Sequence, residues 1–249
     1  MLLEAKNLMV FYENALALND FSMEIRSGEI VAVIGSNSAG KTTLMNTISG
    51  LILDLQLKEK RKGGERITLL GDILYNDRPI TTLSPDQRVK KGIVLCRERH
   101  PIFPESDVLE NLHIAGYLRT RSEVEETIRF AFSLFPNLAG MKNQKAGFLS
   151  GGEQQMLTIS MALVVRPTLL LLDEPLLGLS PAMQTKLISA IRKIREETRV
   201  TMLISEQFAR PLLPMIDRGY VIENGMLTLS GSGEELMNNP EIVSAYFGV

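Results

Sequence analysis

Short apolar runs alternate with stretches of helical periodicity along this chain. Residues 2–11 and 17–25 carry apolar stretches consistent with strands. Ile30–Ile34 is a compact β-branched run between Gly28 and Gly35, and residues 92–96, 169–172 and 200–204 repeat the pattern. Runs without polar alternation suit strands buried on both faces of a parallel sheet. Helical patterns lie between them. Ser84-Pro85-Asp86-Gln87 has capping-box spacing with proline at the first helical position. Ser122 and Glu125 have the same spacing, and the helix expected after them puts Val124, Ile128, Ala131, Phe132 and Phe135 on one face. Ser180-Pro181 opens a third helix, with Met183, Leu187, Ile191 and Ile194 turned inward. Tyr220 to Leu229 reads as a hairpin around Asn224-Gly225. Residues 51–77 show no clear period, and Lys58-Glu59-Lys60-Arg61-Lys62 reads there as a solvated loop. A contact for a partner or for lipid headgroups is the alternative. Strands alternating with helices predict an α/β fold.

Composition narrows this further. The 249 residues are 45% hydrophobic and 22% charged, ordinary values for a globular chain of one large or two small domains. With 27 basic and 29 acidic side chains the net charge is -2, so no global field draws it to nucleic acid or anionic lipid. The N-terminus lacks a secretory pattern. The most apolar stretch, residues 161–179, is broken by Arg166, Pro167, Asp173, Glu174 and Pro175, whereas a spanning helix needs about 20 apolar residues. The single cysteine, Cys96, forms no internal disulfide and reads as a structural thiol. There is no Cys/His cluster with zinc spacing and no serine–histidine–aspartate order.

Three motifs carry chemistry. Gly35-Ser36-Asn37-Ser38-Ala39-Gly40-Lys41-Thr42 matches G-x-x-x-x-G-K-[ST], follows a strand and precedes an apolar-periodic helix. In this setting successive N–H groups turn inward on phosphate oxygens and the helix N-terminus adds positive partial charge. Lys41 should reach the β- and γ-phosphates, and Thr42 should offer a hydroxyl to Mg²⁺. Together with Thr43 these residues form the expected nucleotide cradle. Residues 169–172 end in Asp173-Glu174-Pro175, at the strand end where ligands of open α/β sheets gather. Asp173 is expected in the Mg²⁺ shell, and Glu174 is expected to deprotonate the attacking water. Leu149-Ser150-Gly151-Gly152-Glu153 is a capping box, yet its two glycines cost about 1 kcal/mol each relative to alanine. They make sense if a phosphate approaches the backbone there.

In this order the three motifs resemble the ATP-binding cassette family, over about residues 3–248. The resemblance implies a P-loop NTPase fold with a mostly parallel core sheet, an antiparallel β subdomain and a helical insertion at about residues 97–165. The chain would be a single nucleotide-binding domain that uses ATP and Mg²⁺. It implies a head-to-tail pair of cassettes, identical or paralogous, in which Ser150, Gly151 and Gly152 of one cover the γ-phosphate held by Lys41 of the other. Carried over by position, Tyr12 stacks on adenine, Glu98 stands at the family's magnesium-contacting glutamine, Gln207 replaces the switch histidine, and Ser180 replaces an aspartate.

Glu98, Gln207, Leu177-Gly178-Leu179-Ser180-Pro181 and the Tyr246-Phe247-Gly248 ending are similar to the cassettes of branched-chain amino-acid importers. Cassettes for urea and short amides are similar too. The stretch 55–72 looks long for that group and has no assigned counterpart. The implied partners are integral membrane permease subunits and an extracytoplasmic solute-binding protein, with no nucleic acid. The implied location is the cytoplasmic face of the cell membrane. Ile102 and Phe103 are candidate permease contacts, with a local core role the alternative. A non-transport cassette ATPase and a low-turnover nucleotide clamp remain as further alternatives.

Overall fold

A computed structural model describes residues 1–64, 67–97, 101–240 and 244. Two sheets organise it. The N-terminal strands β1 (Leu3–Tyr12) and β2 (Ala15–Ile25) pair antiparallel. With β4 (Ile67–Tyr75) and β5 (Arg78–Pro79) they make a four-stranded sheet of order β2-β1-β4-β5. The second sheet has six strands. It contains β3 (Ile30–Ile34), β6 (Ile93–Cys96), β7 (Leu169–Asp173), β8 (Thr201–Glu206), β9 (Arg218–Glu223) and β10 (Met226–Gly231). Their order is β10-β9-β3-β8-β7-β6, parallel except for the β9–β10 hairpin. The expected mostly parallel core sheet, antiparallel β subdomain and helical insertion are all present.

The unbroken apolar runs are explained by burial on both faces. Ile30, Ala32 and Ile34 join one hydrophobic cluster, while Val31 and Val33 join another. Leu170 and Leu172 divide from Leu169 and Leu171 in the same way. One side carries α1 (Lys41–Ser49) and the antiparallel sheet; the other carries α7 (Gly151–Val164) and α8 (Pro181–Thr198). Between β6 and β7 the chain inserts α4 (Val108–Ala115), α5 (Arg121–Leu134), α6 (Pro136–Gly140) and α7. The short α9 (Gly233–Asn238) follows the hairpin.

Two expectations need correction. Much of residues 51–77 is regular: α2 (Leu51–Lys62) precedes β4. Leucines at 51, 53, 55 and 57 hide the helical period, but Leu, Gln, Lys, Glu and Arg are good helix formers. Gly50 and Gly63 bound α2 in the left-handed conformation. Lys58, Lys60 and Arg61 are exposed, so this run is solvated on a helix end rather than in a loop. The capping box of α5 is Thr120–Glu123, two residues before the expected pair: Glu123 Oε2 accepts the Thr120 N–H at 2.8 Å. Ser122 already lies inside the first turn, where it cannot cap. The expected inner face survives, with Val124, Ile128, Ala131 and Phe135 buried and Phe132 half-buried.

The α3 helix (Pro85–Lys90) keeps its expected box with Ser84 and Gln87 and supplies an unexpected anchor. Arg88 is fully buried. Its guanidinium donates to the carbonyls of Thr47 at 2.6 Å, Ile48 at 2.8 Å, Thr81 at 2.9 Å and Leu83 at 3.0 Å. Two of these carbonyls lie in the last turn of α1, where helices leave acceptors unpaired. Desolvation lowers the Arg88 pKa to about 10.

Candidate nucleotide-binding site

The carboxyl ends of β3, β7 and β8 lie side by side, and the motifs converge there. From β3 the chain enters Gly35–Gly40 and then α1. A Cβ on Gly35 would sit 2.5 Å from the Ile222 carbonyl oxygen, and one on Gly40 would sit 2.6 Å from that of Ala17. Gly40 also has φ 110°. Both glycines are therefore required by close packing against the chain itself. Helix α1 begins with no side-chain cap and no acidic residue in its first turn. An uncapped N-terminus with inward N–H groups is suited to an anion. Ser36, Asn37, Ser38 and Thr42 are exposed, Gly40 and Thr43 half-buried, and Ala39 buried.

Lys41 is 3% exposed and folds back over the loop. Its Nζ donates to the Gly35 carbonyl at 2.9 Å and the Ser36 carbonyl at 3.0 Å, and it lies 2.9 Å from Glu174 Oε1. The Thr42 hydroxyl is 3.4 Å from Asp173 Oδ1, which also accepts the Ser205 hydroxyl at 2.6 Å. Asp173 is 3% exposed. A hydroxyl beside a carboxylate is a hard oxygen donor set, and Mg²⁺ is held by one or two carboxylates with water and substrate phosphates completing its shell. Among the described residues no group of three or more His, Cys, Asp or Glu could hold a metal without such help. The donors present therefore fit Mg²⁺ bound together with a nucleotide.

Glu174 adopts φ 47°, a strained conformation for a side-chain-bearing residue. Its N–H is held by the Ser205 carbonyl and hydroxyl, each at 3.1 Å. This turn sets its carboxylate against Lys41. Ser205 and the neighbouring Glu206 were not among the sequence candidates. Their signal was a polar pair ending an apolar strand beside the phosphate-loop strand. Glu206 is 4% exposed, and its Oε1 accepts the Leu176 N–H at 2.7 Å. Burial, with the charge of Glu174 adding, pushes its carboxyl up to about 8.

The remaining candidates come from other segments or, in the case of Gln207, directly follow β8. Tyr12 is half-buried at the end of β1 and packs on the apolar cluster that holds Ala39 and Leu44. Gln207 is half-buried just after β8. Ser150 caps α7, its hydroxyl accepting the Glu153 N–H. At Gly151 a Cβ would meet nothing within 4 Å, leaving open space over the backbone. At Gly152 it would come 2.7 Å from Met183 Cε, so packing against α8 gives that glycine a reason within the chain. Among the described residues no hydrogen bond or ion pair joins Ser150, Gly151 or Gly152 to Lys41. Ser180 caps α8. Ile102 packs against the core, whereas Phe103 is 48% exposed. Cys96 is buried, and burial raises its thiol to about 12, in keeping with a structural role. Glu98 and the Tyr246-Phe247-Gly248 ending lie outside the described residues.

The sequence model of the family described as ABC transporter matches residues 18–177. This chain belongs to the ABC transporter family. Its activity is that of an ATP-binding ATPase. It is 35% identical to the high-affinity branched-chain amino acid transport ATP-binding protein BraG of Pseudomonas aeruginosa, over 99% of this chain and 100% of that protein. It is 32% identical to a probable branched-chain amino acid transport ATP-binding protein, LivF, of Archaeoglobus fulgidus, over 100% of this chain and 99% of that one. Among solved structures it is similar to the ADP conformation of MJ1267, an ATP-binding cassette of an ABC transporter. The TM-score is 0.80 at 26% identity, covering 100% of this chain and 99% of that one. Among the described residues no helix is long and apolar enough to cross a membrane.

Proposed function

We propose that this cassette is the ATP-hydrolysing subunit of an importer of branched-chain amino acids, acting on the cytoplasmic face of the membrane. The observation that carries the chemistry is the cluster of Lys41, Thr42, Asp173 and Glu174 at adjacent strand ends. The full-length likeness to BraG supports the solute class. The loop from Gly35 to Thr43 wraps the phosphates, and Lys41 leaves Glu174 for the β- and γ-phosphate oxygens. Thr42 and Asp173, with Glu98 as a further candidate, would hold Mg²⁺, which would supply neutralisation of phosphate charge. Glu174 then takes the proton of the attacking water. Tyr12 stacks on the adenine, and Gln207 donates a hydrogen bond to the γ-phosphate.

The open backbone at Gly151 supports completion of each site by a second cassette, identical or paralogous, whose Ser150, Gly151 and Gly152 cover the γ-phosphate. ATP closes the pair and hydrolysis opens it, moving permease subunits that receive solute from an extracytoplasmic binding protein. The test is reconstitution. The cassette should co-purify with integral membrane subunits, and ATP turnover in proteoliposomes should rise with leucine, isoleucine or valine plus the binding protein. Co-purification without stimulation by any of the three would overturn the solute class. Failure to associate with any membrane subunit would overturn the importer reading.

A further inference from the structure

We propose that Glu206 is a positioning residue for hydrolysis, fixing the loop that follows Glu174 and, through it, the direction of the Glu174 carboxylate. This rests on the reading of Glu174 as the base. Glu206 ends β8 beside both the phosphate-loop strand and the Glu174 strand, and it reaches three segments at once. Its carbonyl accepts the Gly35 N–H at 3.2 Å, at the entry to the phosphate loop. Its side chain accepts the Leu176 N–H at 2.7 Å and faces the backbone N–H of Gln207.

The backbone strain at Glu174 shows why such a hold matters. A residue with φ 47° keeps that conformation only if its surroundings fix it. Ser205 fixes the peptide before Glu174, and the Glu206 carboxyl oxygen fixes the Leu176 N–H two residues after it. Farther along, the Gln184 amide donates to the Leu176 and Leu179 carbonyls at 3.4 and 3.3 Å. The loop is thus pinned at its base while its tip is open: Leu177 is 49% exposed and Gly178 has φ 72°. A carboxyl group buried beside Glu174 is costly where an apolar residue would suffice for packing. Its retention is explained if its acceptor oxygen is needed. Among the described residues no hydrogen bond joins the side chain to the phosphate loop, whose influence on it is the charge of Lys41, so its removal should act mainly on the chemical step rather than on nucleotide affinity.

The test compares ATP turnover of the full chain as wild type, Glu206→Leu, Glu206→Gln and Glu174→Gln, with nucleotide affinity and melting temperature measured on each. Glu206→Leu should lower kcat about ten-fold or more at a temperature where every variant stays folded, with KM for ATP changed less than about two-fold. Its melting temperature should fall, because the buried Leu176 N–H loses its acceptor. Glu206→Gln retains a carbonyl acceptor for the Leu176 N–H and should restore most of kcat. Wild-type turnover in Glu206→Leu, or a loss explained by weaker nucleotide binding or by unfolding at the assay temperature, would overturn the assignment. So would a Glu206→Gln variant as slow as Glu206→Leu. Unimpaired Glu174→Gln turnover would overturn both the base and its positioning residue. An active base with an indifferent Glu206 overturns only the latter.

Discussion

Lys41 Nζ and Glu174 Oε1 lie 2.9 Å apart, with side-chain exposures of 3% and 10%. In this arrangement the residue expected to bind phosphate and the residue expected to activate water neutralise each other. The ammonium also satisfies the Gly35 and Ser36 carbonyls. Phosphate oxygens that took these donors would release Glu174 in the same step. Lys41→Ala removes the cation from the phosphates and leaves Glu174 buried without it. ATP affinity should fall at least about ten-fold, and turnover should fall to background. Titration with a fluorescent ATP analogue checks the first, and phosphate release checks the second. Wild-type affinity in the variant would remove Lys41 from the binding site.

Glu174→Gln keeps the size of the side chain but loses its basicity. General-base catalysis contributes about 10²–10⁴-fold, so turnover should drop by at least about 10² while ATP still binds. With hydrolysis blocked, the closed pair should accumulate. Light scattering should show an ATP-dependent dimer in the variant that decays in the wild type. Turnover equal to wild type would deny Glu174 its role.

The core sheet was legible because a strand buried on both faces leaves an unbroken apolar run, as β3 and residues 169–172 of β7 do. The phosphate loop and the acidic strand end were legible because their chemistry requires particular residues at close sequence spacing. Helix α2 was not, because alternating leucines obscured its period while two flanking glycines set its ends. The roles of Ser205 and Glu206 depend on β8 lying between β3 and β7, a strand order that local sequence does not specify. Arg88 was missed for a related reason. A lone arginine in a helix of mixed polarity is ordinarily solvated, and only the fold brings the α1 carbonyls to it.

Arg88 should therefore be a stability residue. Its four acceptors are backbone carbonyls of Thr47, Ile48, Thr81 and Leu83. Replacement by methionine fills part of the volume but removes these donors, leaving the Thr47 carbonyl with only the Gly50 N–H at 3.3 Å. Each buried polar group left unsatisfied costs about 1–3 kcal/mol. Arg88→Met should lose about 3 kcal/mol or more in urea unfolding, with an unchanged denaturant slope if the native fold persists. A loss below about 0.5 kcal/mol would show that water replaces the guanidinium without penalty.

Glu206 should leave a mark on stability against pH. Burial beside Glu174 raises its carboxyl from the ordinary 4.5 to about 8. Between those values the folded chain holds a proton that the unfolded chain has released. Stability from this group is therefore fully present below 4.5 and is lost as pH rises through about 8. Glutamine cannot ionise, so Glu206→Gln removes that loss. The melting temperatures of variant and wild type should nearly coincide near pH 5, and the variant's advantage should grow up to about pH 8 and then level off. Parallel curves across this range would mean that the carboxyl titrates alike in the folded and unfolded chains and would overturn the upward shift.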